Sequence, residues 1–309
     1  MNLTMTRRWR EVSGYLLIML ASCFWGGAAT LGKMLFREGI TTAQLMQIRS
    51  VFTAIILFPA LAIFSWRHLS IRARDLFGLL LLALPGLVVV NASYYQAVKM
   101  MPVAIAVFIQ FTAAGLVFLY GWLTKTEKAT AAKLFALVLS IVGTFLMVQL
   151  QRNQLQDIPA FALFCAFLSM LSYAFYLIVS HRLAEKHSPF TLVAYGYGLA
   201  AIFWIIATNP VHTFEFITEN KLWTPAVLFS LFSTLIPFTL FMTAMKRITP
   251  TGAAIASTTE TVMASLFAFM FLGELLLPVQ MVGAAFILCA IILLMVPSKF
   301  KPEPTEIAH

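Results

Sequence analysis

Two ionisable residues, Arg49 and Glu260, stand inside long apolar stretches of this 309-residue chain. In a lipid setting such a group costs about 2.5–3.5 kcal/mol, so by default it faces the protein interior and serves a function. Glu260 follows Pro250 by ten residues, ~15 Å along a helix and near a bilayer midplane. On helical spacing Ser257, Glu260 and Thr261 share a face, a polar wall for a cavity. Glu260 suits pairing with a solute's amino group, or exchange of protons as a coupling site. The competing reading is a polar residue that joins neighbouring helices through hydrogen bonds. Arg49 suits a solute carboxylate held by its fork, snorkelling to an interface, or pairing with a helix end.

Aromatic and amide side chains surround these charges in the sequence pattern. Asn91, Tyr94 and Tyr95 cluster late in one apolar run, and Ser169, Tyr173 and Tyr176 share a helical face in another. Trp25, Gln110 and Thr112 are deep in two more. The candidate substrate-binding set is therefore Trp25, Arg49, Asn91, Tyr94, Tyr95, Gln110, Thr112, Tyr173, Tyr176, Ser257 and Glu260, with Glu260 also the proton-coupling candidate. Flat rings with hydroxyl handles suit apolar or aromatic groups and cations, although helix packing is an equal use for them. Trp66, Trp122, Trp204 and Trp223 fall near the ends of apolar runs and read as interfacial anchors. Glu127 and Glu274, also at run ends, read as structural or solvated.

These residues need membrane-spanning helices to hold them. Hydrophobic residues make up 61% and charged residues 11% of the chain, against about 25% charged in a soluble domain. Such a chain cannot cover a water-facing surface. Ten apolar runs are long enough to span, approximately Gly14–Leu35, Ala43–Phe64, Leu76–Val98, Val103–Leu123, Ala132–Leu150, Ala160–His181, Phe190–Thr208, Thr224–Met245, Gly252–Leu272 and Val279–Val296. Arg7, Arg8 and Arg10 before Leu20-Ala21-Ser22-Cys23 resemble a lipoprotein signal, but the apolar run continues to Phe36, past the length of a signal core. A first span is expected there. The longest polar connection, Asn209 to Leu222, is too short to fold alone.

The net charge of +9 is distributed between the apolar runs, which argues for membrane orientation rather than nucleic acid. With the N-terminus in the cytoplasm, the inside segments carry Arg7, Arg8, Arg10, Arg67, Arg72, Arg74, Lys125, Lys128, Lys133, Arg182, Lys186, Lys246, Arg247, Lys299 and Lys301. Only Lys33, Arg37, Arg49, Lys99, Arg152 and Lys221 remain. Fifteen against six supports ten spans with both termini cytoplasmic. Cys23, Cys165 and Cys289 are odd in number and lie in apolar runs, so they read as packing residues.

The chain also matches itself at an offset of 147–148 positions. Ala97-Val98-Lys99 falls on Ala244-Met245-Lys246, Pro102 on Pro250 and Glu127 on Glu274; Trp25-Gly26 falls on Tyr173-Ala174 and Arg49 on Tyr197. Residues 1–152 and 153–309 are thus expected to form two five-span repeats. Five is odd, so the second repeat enters the membrane inverted, an arrangement that secondary transporters use for alternating access. Pro85-Gly86 and Pro237 interrupt two spans, and their offset does not match the repeat. The expected fold class is an all-α membrane protein of ten transmembrane helices in two inverted five-helix repeats.

Phe24-Trp25-Gly26 with Lys33, early Arg49, Ala97-x-Lys99-x-x-Pro102, Tyr173-Ala174-x-Tyr176, and Gly273-Glu274 before Val279-Gln280-x-x-Gly283 together resemble the drug/metabolite transporter superfamily in its EamA-type branch. That resemblance implies a ten-helix exporter or exchanger of amino acids, other metabolites or nucleotide-linked compounds, and the aromatic richness resembles an amino-acid exporter branch. Thr261 follows Glu260 where many relatives carry proline. The partners expected are the bilayer, a small solute (an amino acid, another metabolite or an organic cation) and protons. No cofactor, metal or nucleic acid is expected, and the location implied is a plasma membrane, the inner membrane in a bacterium. The alternatives are a membrane-embedded enzyme, for which the sequence offers no nucleophile–base pair or metal motif, and a channel or partner subunit, for which it offers no filter loop.

Overall fold

The computed structural model describes residues 3–148, 158–273 and 275–296. Arg152, Glu274, Lys299, Lys301 and the boundary between residues 152 and 153 lie outside the described residues, as do the side chains of Arg7 and Lys33. Ten apolar helices are present among the described residues. Span 1 is the helix Leu3–Arg37. Spans 2 to 5 are Thr42–Phe64, Ala73–Met100, Val103–Leu123 and Ala131–Val148. Spans 6 to 10 are Ala160–Ala184, Pro189–Ala207, Trp223–Met245, Pro250–Phe271 and Pro278–Met295.

Local chemistry sets the helix starts. Span 2 opens with a capping box: Gln44 N–H donates to Thr41 Oγ1 at 3.3 Å, and Thr41 N–H to Gln44 Oε1 at 2.9 Å. Spans 7, 9 and 10 begin with proline, which lacks the N–H that a first turn would leave unpaired. In every span at least half of the most apolar window is unburied. Phe135, Phe164, Ile206 and Phe271 are among the exposed apolar residues. With no helix left to cover them, these faces must meet lipid, and the chain is an integral membrane protein.

The two halves exchange partners. Span 1 packs on spans 8 and 9 of the second half, and span 6 packs on spans 3 and 4 of the first. Span 2 lies against span 7, and span 5 against span 10. This pattern is unchanged when the halves are swapped, as a two-fold repeat requires.

Backbone irregularities follow the same register. A π-helical turn occupies Leu82–Val88 in span 3 and another Leu231–Leu235 in span 8. The α-helix is interrupted at Thr112 in span 4 and at Thr258 in span 9. The π turns and interruptions are therefore repeat-related, although Pro85 and Pro237 are not in register: one lies within its π turn, the other just after its own. The backbone shape is shared and each half reaches it with differently placed prolines. Span 9 breaks without the proline at position 261. There the hydroxyls of Thr258, Thr259 and Thr261 donate to the carbonyls of Ile255, Ala256 and Thr258 at 2.7–2.8 Å, which satisfies backbone that lipid cannot.

One expectation needs correction, and one polar connection is helical. The polar connection after span 7 forms a helix, Pro210–Glu219, opened by Asn209 Oδ1 accepting from Val211 N–H at 3.0 Å. It is held because Ile217 is buried and Phe214 stacks on Trp223 with centroids 6.0 Å apart. Trp204 is not an exposed anchor: it is buried, in the contact of span 7 with span 2. Of the cysteines, Cys165 is buried, Cys23 half-buried and Cys289 exposed, all as free thiols.

Candidate functional site

A cavity of about 240 Å³ lies between the halves. Spans 1 to 4 contribute one part of its wall and spans 6, 8 and 9 the other. Nine of the eleven candidates line it: Trp25, Arg49, Asn91, Tyr94, Tyr95, Gln110, Tyr173, Tyr176 and Glu260. Thr112 and Ser257 do not. Thr112 sits at the interruption of span 4 and donates to Ile109 O at 2.6 Å. Ser257 is fully buried and donates to Ala253 O at 2.9 Å. Both hydroxyls are used in the backbone of their own helices.

Arg49 is 4% exposed, and its donors are all directed at protein. Nε donates to Thr234 Oγ1 at 2.9 Å, Nη1 to Asn91 Oδ1 at 3.3 Å and toward Met46 Sδ at 3.9 Å, and Nη2 to the Tyr197 hydroxyl at 3.1 Å and Ser233 O at 3.4 Å. These contacts match the five N–H groups of a guanidinium. Its carbon also lies 5.8 Å from the Tyr197 ring centroid and 5.7 Å from that of Phe238, within cation–π range. Arg49 and Tyr197 are the pair that the repeat superimposes. Their direct hydrogen bond places the two at the pseudo-two-fold axis, where spans 2 and 7 meet.

Pro237 prepares part of this network. It has no N–H to offer the carbonyl four residues earlier. That carbonyl, on Ser233, instead accepts from Trp25 Nε1 at 3.1 Å and from Arg49. The Trp25 ring packs edge-on against Phe238 with centroids 5.1 Å apart. Gln110 Nε2 donates to Ser169 Oγ at 2.9 Å and ties span 4 to span 6.

Glu260 differs from Arg49. It stands in the first turn of the half-helix Thr259–Leu272, where the helix dipole favours a carboxylate. Among the described residues Glu260 has no hydrogen-bond partner and no ion-pair partner. Its carboxylate and the Arg49 guanidinium both line the cavity, with no contact between them within ion-pair distance.

The cavity wall also includes Phe36, Phe111, Phe229, Phe238 and Ser233, which sequence reasoning did not select. Phenylalanines in apolar spans carry no distinguishing pattern. Ser233 had a signal in Pro237, whose missing N–H frees a carbonyl. The cavity extends toward the bundle end that holds Phe36, Val98, Val103 and Phe229, close to the ends of spans 1, 3, 4 and 8. At the opposite end the halves are sealed. Arg247 Nη1 donates to Ser13 Oγ at 2.8 Å. Glu127, paired with Lys133 at 2.8 Å, accepts from Thr251 N–H at 3.1 Å at the start of span 9. Thr251 and Gly252 are buried there.

Comparison with known proteins fits this arrangement. The EamA-like transporter family matches the chain twice, over residues 12–149 and 160–296. The chain belongs to that family: it is a ten-helix membrane transporter built from two repeated halves, and not an enzyme. An uncharacterized transporter of Archaeoglobus fulgidus is 29% identical over 67% of this chain and 74% of its own length. The uncharacterized inner membrane transporter YicL of Salmonella typhimurium is 23% identical over 93% of this chain and 96% of its own. The threonine/homoserine exporter RhtA of Escherichia coli is 25% identical over 65% of each chain. A solved crystal structure shares the fold with a TM-score of 0.74 at 16% identity, covering 91% of this chain and 96% of that one.

Proposed function

We propose that the protein is a secondary transporter that exports or exchanges small metabolites, amino acids or related amines among them, by alternating access around the central cavity. The observation that carries this reading is a cavity walled by spans of both halves that extends toward one bundle end, while contacts between the halves close the other. Its volume of about 240 Å³ lies below the roughly 300–1,000 Å³ of sites for drug-sized ligands, which favours a solute of metabolite size. The relationship to RhtA supports amino-acid-like cargo.

Glu260 is the group that handles charge in this reading. A carboxylate without a partner among the described residues is costly in the membrane interior unless a proton or a cation neutralises it. Binding one or the other at the same carboxylate gives proton-coupled exchange. Trp25, Asn91, Tyr94, Tyr95, Gln110, Tyr173 and Tyr176 line the wall, and Arg49 holds spans 2, 3, 7 and 8 together. Residues 1–152 and 153–309 act as the two moving halves. In this reading both termini lie in the cytoplasm of a plasma membrane, the inner membrane of a bacterium, and the cavity opens outward; the excess of lysine and arginine between the inside ends of the spans supports that orientation.

The test is uptake of a panel of labelled amino acids and amines into liposomes holding the full chain, with and without a pH gradient. Saturable uptake that responds to the gradient and is lost in Glu260→Gln is expected. Uptake equal to that of empty liposomes for every solute contradicts the proposal.

A further inference from the structure

At the closed end of the bundle a carboxylate joins the two halves. Span 4 ends at Leu123, and the chain then turns back on itself. Lys125 takes a left-handed conformation with φ 57°, and Glu127 N–H donates to Gly121 O at 3.0 Å. A Cβ on Gly121 would lie 3.0 Å from the Glu127 Cβ, so the glycine lets the turn fold this tightly. The Glu127 side chain is left 7% exposed. A buried carboxylate needs charged or N–H partners in place of water. Oε2 accepts from Lys133 Nζ of its own half at 2.8 Å, and Oε1 from Thr251 N–H of the other half at 3.1 Å.

That second bond completes the start of span 9. A helix leaves its first N–H groups without intrahelical partners. Pro250 has no N–H to place. Gly252 N–H donates to Thr249 Oγ1 at 3.2 Å, and Ala253 N–H to Thr249 O at 2.9 Å. The N–H of Thr251, a fully buried residue, is the one that Glu127 accepts. The positive end of the helix dipole adds to the attraction.

The repeat holds the same position in the opposite condition. With Pro102 on Pro250, Val103 falls on Thr251. Val103 also opens a span after a proline, yet it is 46% exposed and lines the cavity. Inverted halves that exchange conformations between states exchange these conditions: Thr251 becomes accessible and Val103 is covered. The bond from Thr251 to Glu127 therefore belongs to one state and breaks when the closed end opens.

We propose that Glu127 is a latch, a positioning residue for transport that holds the cavity open on one side by tying the start of span 9 to span 4. This inference rests on the carrier reading and goes beyond it, to the group that sets the balance between the two states.

The experiment uses the full chain in liposomes, in a background lacking Cys23, Cys165 and Cys289. Spin labels on Lys99→Cys and Thr224→Cys, at the ends of spans 3 and 8 beside the cavity mouth, report the ratio of closed-mouth to open-mouth distances. These labels stand at the opposite end of the bundle from Glu127, so local loosening around the missing side chain does not move them. Glu127→Ala is expected to raise the ratio about tenfold or more, the order that loss of a charge-assisted hydrogen bond implies. Thr251→Cys should at the same time react faster with an impermeant maleimide from the side of the N-terminus. Thermal unfolding identifies variants that fold. Where Glu127→Ala folds it decides, and where it does not, Glu127→Gln decides, with a smaller rise expected. A lowered unfolding midpoint with an unchanged distance ratio makes Glu127 structural only; that overturns the inference and leaves the carrier reading standing. Absence of solute exchange by the original chain overturns both.

Discussion

At the scale of single residues, the cavity separates two charges that the sequence presents alike. Glu260 has no partner among the described residues, whereas Arg49 holds its surroundings together. Glu260→Gln is expected to abolish uptake driven by a pH gradient, and Glu260→Asp to keep part of it, in a proteoliposome flux assay. Arg49→Lys keeps the charge but loses the planar fork that reaches Thr234, Asn91 and Tyr197 at once. Unfolding in detergent should show a loss of roughly 1–3 kcal/mol, while solute affinity stays close to that of the original protein. Lost affinity with unchanged stability would instead put Arg49 on the solute. The sequence identified both residues because charge in an apolar run is conspicuous. It left the role of Arg49 open because its oxygen partners are 42 to 185 positions away along the chain.

At the scale of elements, the irregular turns do the positioning. The π turn of span 8 and Pro237 free a carbonyl for Trp25 and Arg49, and the interruption at Thr258 puts Glu260 at the start of a half-helix. Apolar runs and capping residues in the sequence predict where spans begin and end. They do not predict a π turn, which depends on which carbonyl a neighbouring helix accepts from, nor the helix Pro210–Glu219, whose apolar side is short. Phe36, Phe111, Phe229 and Phe238 were invisible for a related reason: lipid-facing and cavity-facing phenylalanines look the same until the helices are packed. Close packing makes a separate prediction at the seam of spans 5 and 10. A Cβ on Gly143 would lie 2.7 Å from Gly283 O, and a Cβ on Gly283 would lie 2.7 Å from Gly143 O. Gly143→Val or Gly283→Val is expected to force the seam apart and destabilise the fold by about 1–3 kcal/mol or more, read as a lowered unfolding midpoint. Unchanged stability in both variants would contradict the seam. Gly115, with nothing near its Cβ position, is the control that should tolerate alanine.

At the scale of the whole molecule, the two halves form a cavity that extends toward one bundle end. Single cysteines in a background lacking Cys23, Cys165 and Cys289 can read this directly. Val98→Cys, at the cavity mouth, should react with a membrane-impermeant maleimide from the side opposite the N-terminus, and Thr251→Cys, at the sealed end, should be protected. The repeat is legible in the sequence because lysine, proline and glutamate recur at offsets of 147–148 positions, and the exchange of partners between spans 1 and 6 follows from inversion only once packing is known. The central claim is that this architecture is a carrier whose cavity faces each side in turn. Counterflow tests it most directly: liposomes containing the full chain are loaded with unlabelled solute, and entry of the same solute in labelled form is followed at low external concentration. The account predicts saturable entry that overshoots equilibrium and is accelerated by internal solute. Entry that is indifferent to internal solute and linear in concentration, as through an open pore, would contradict it.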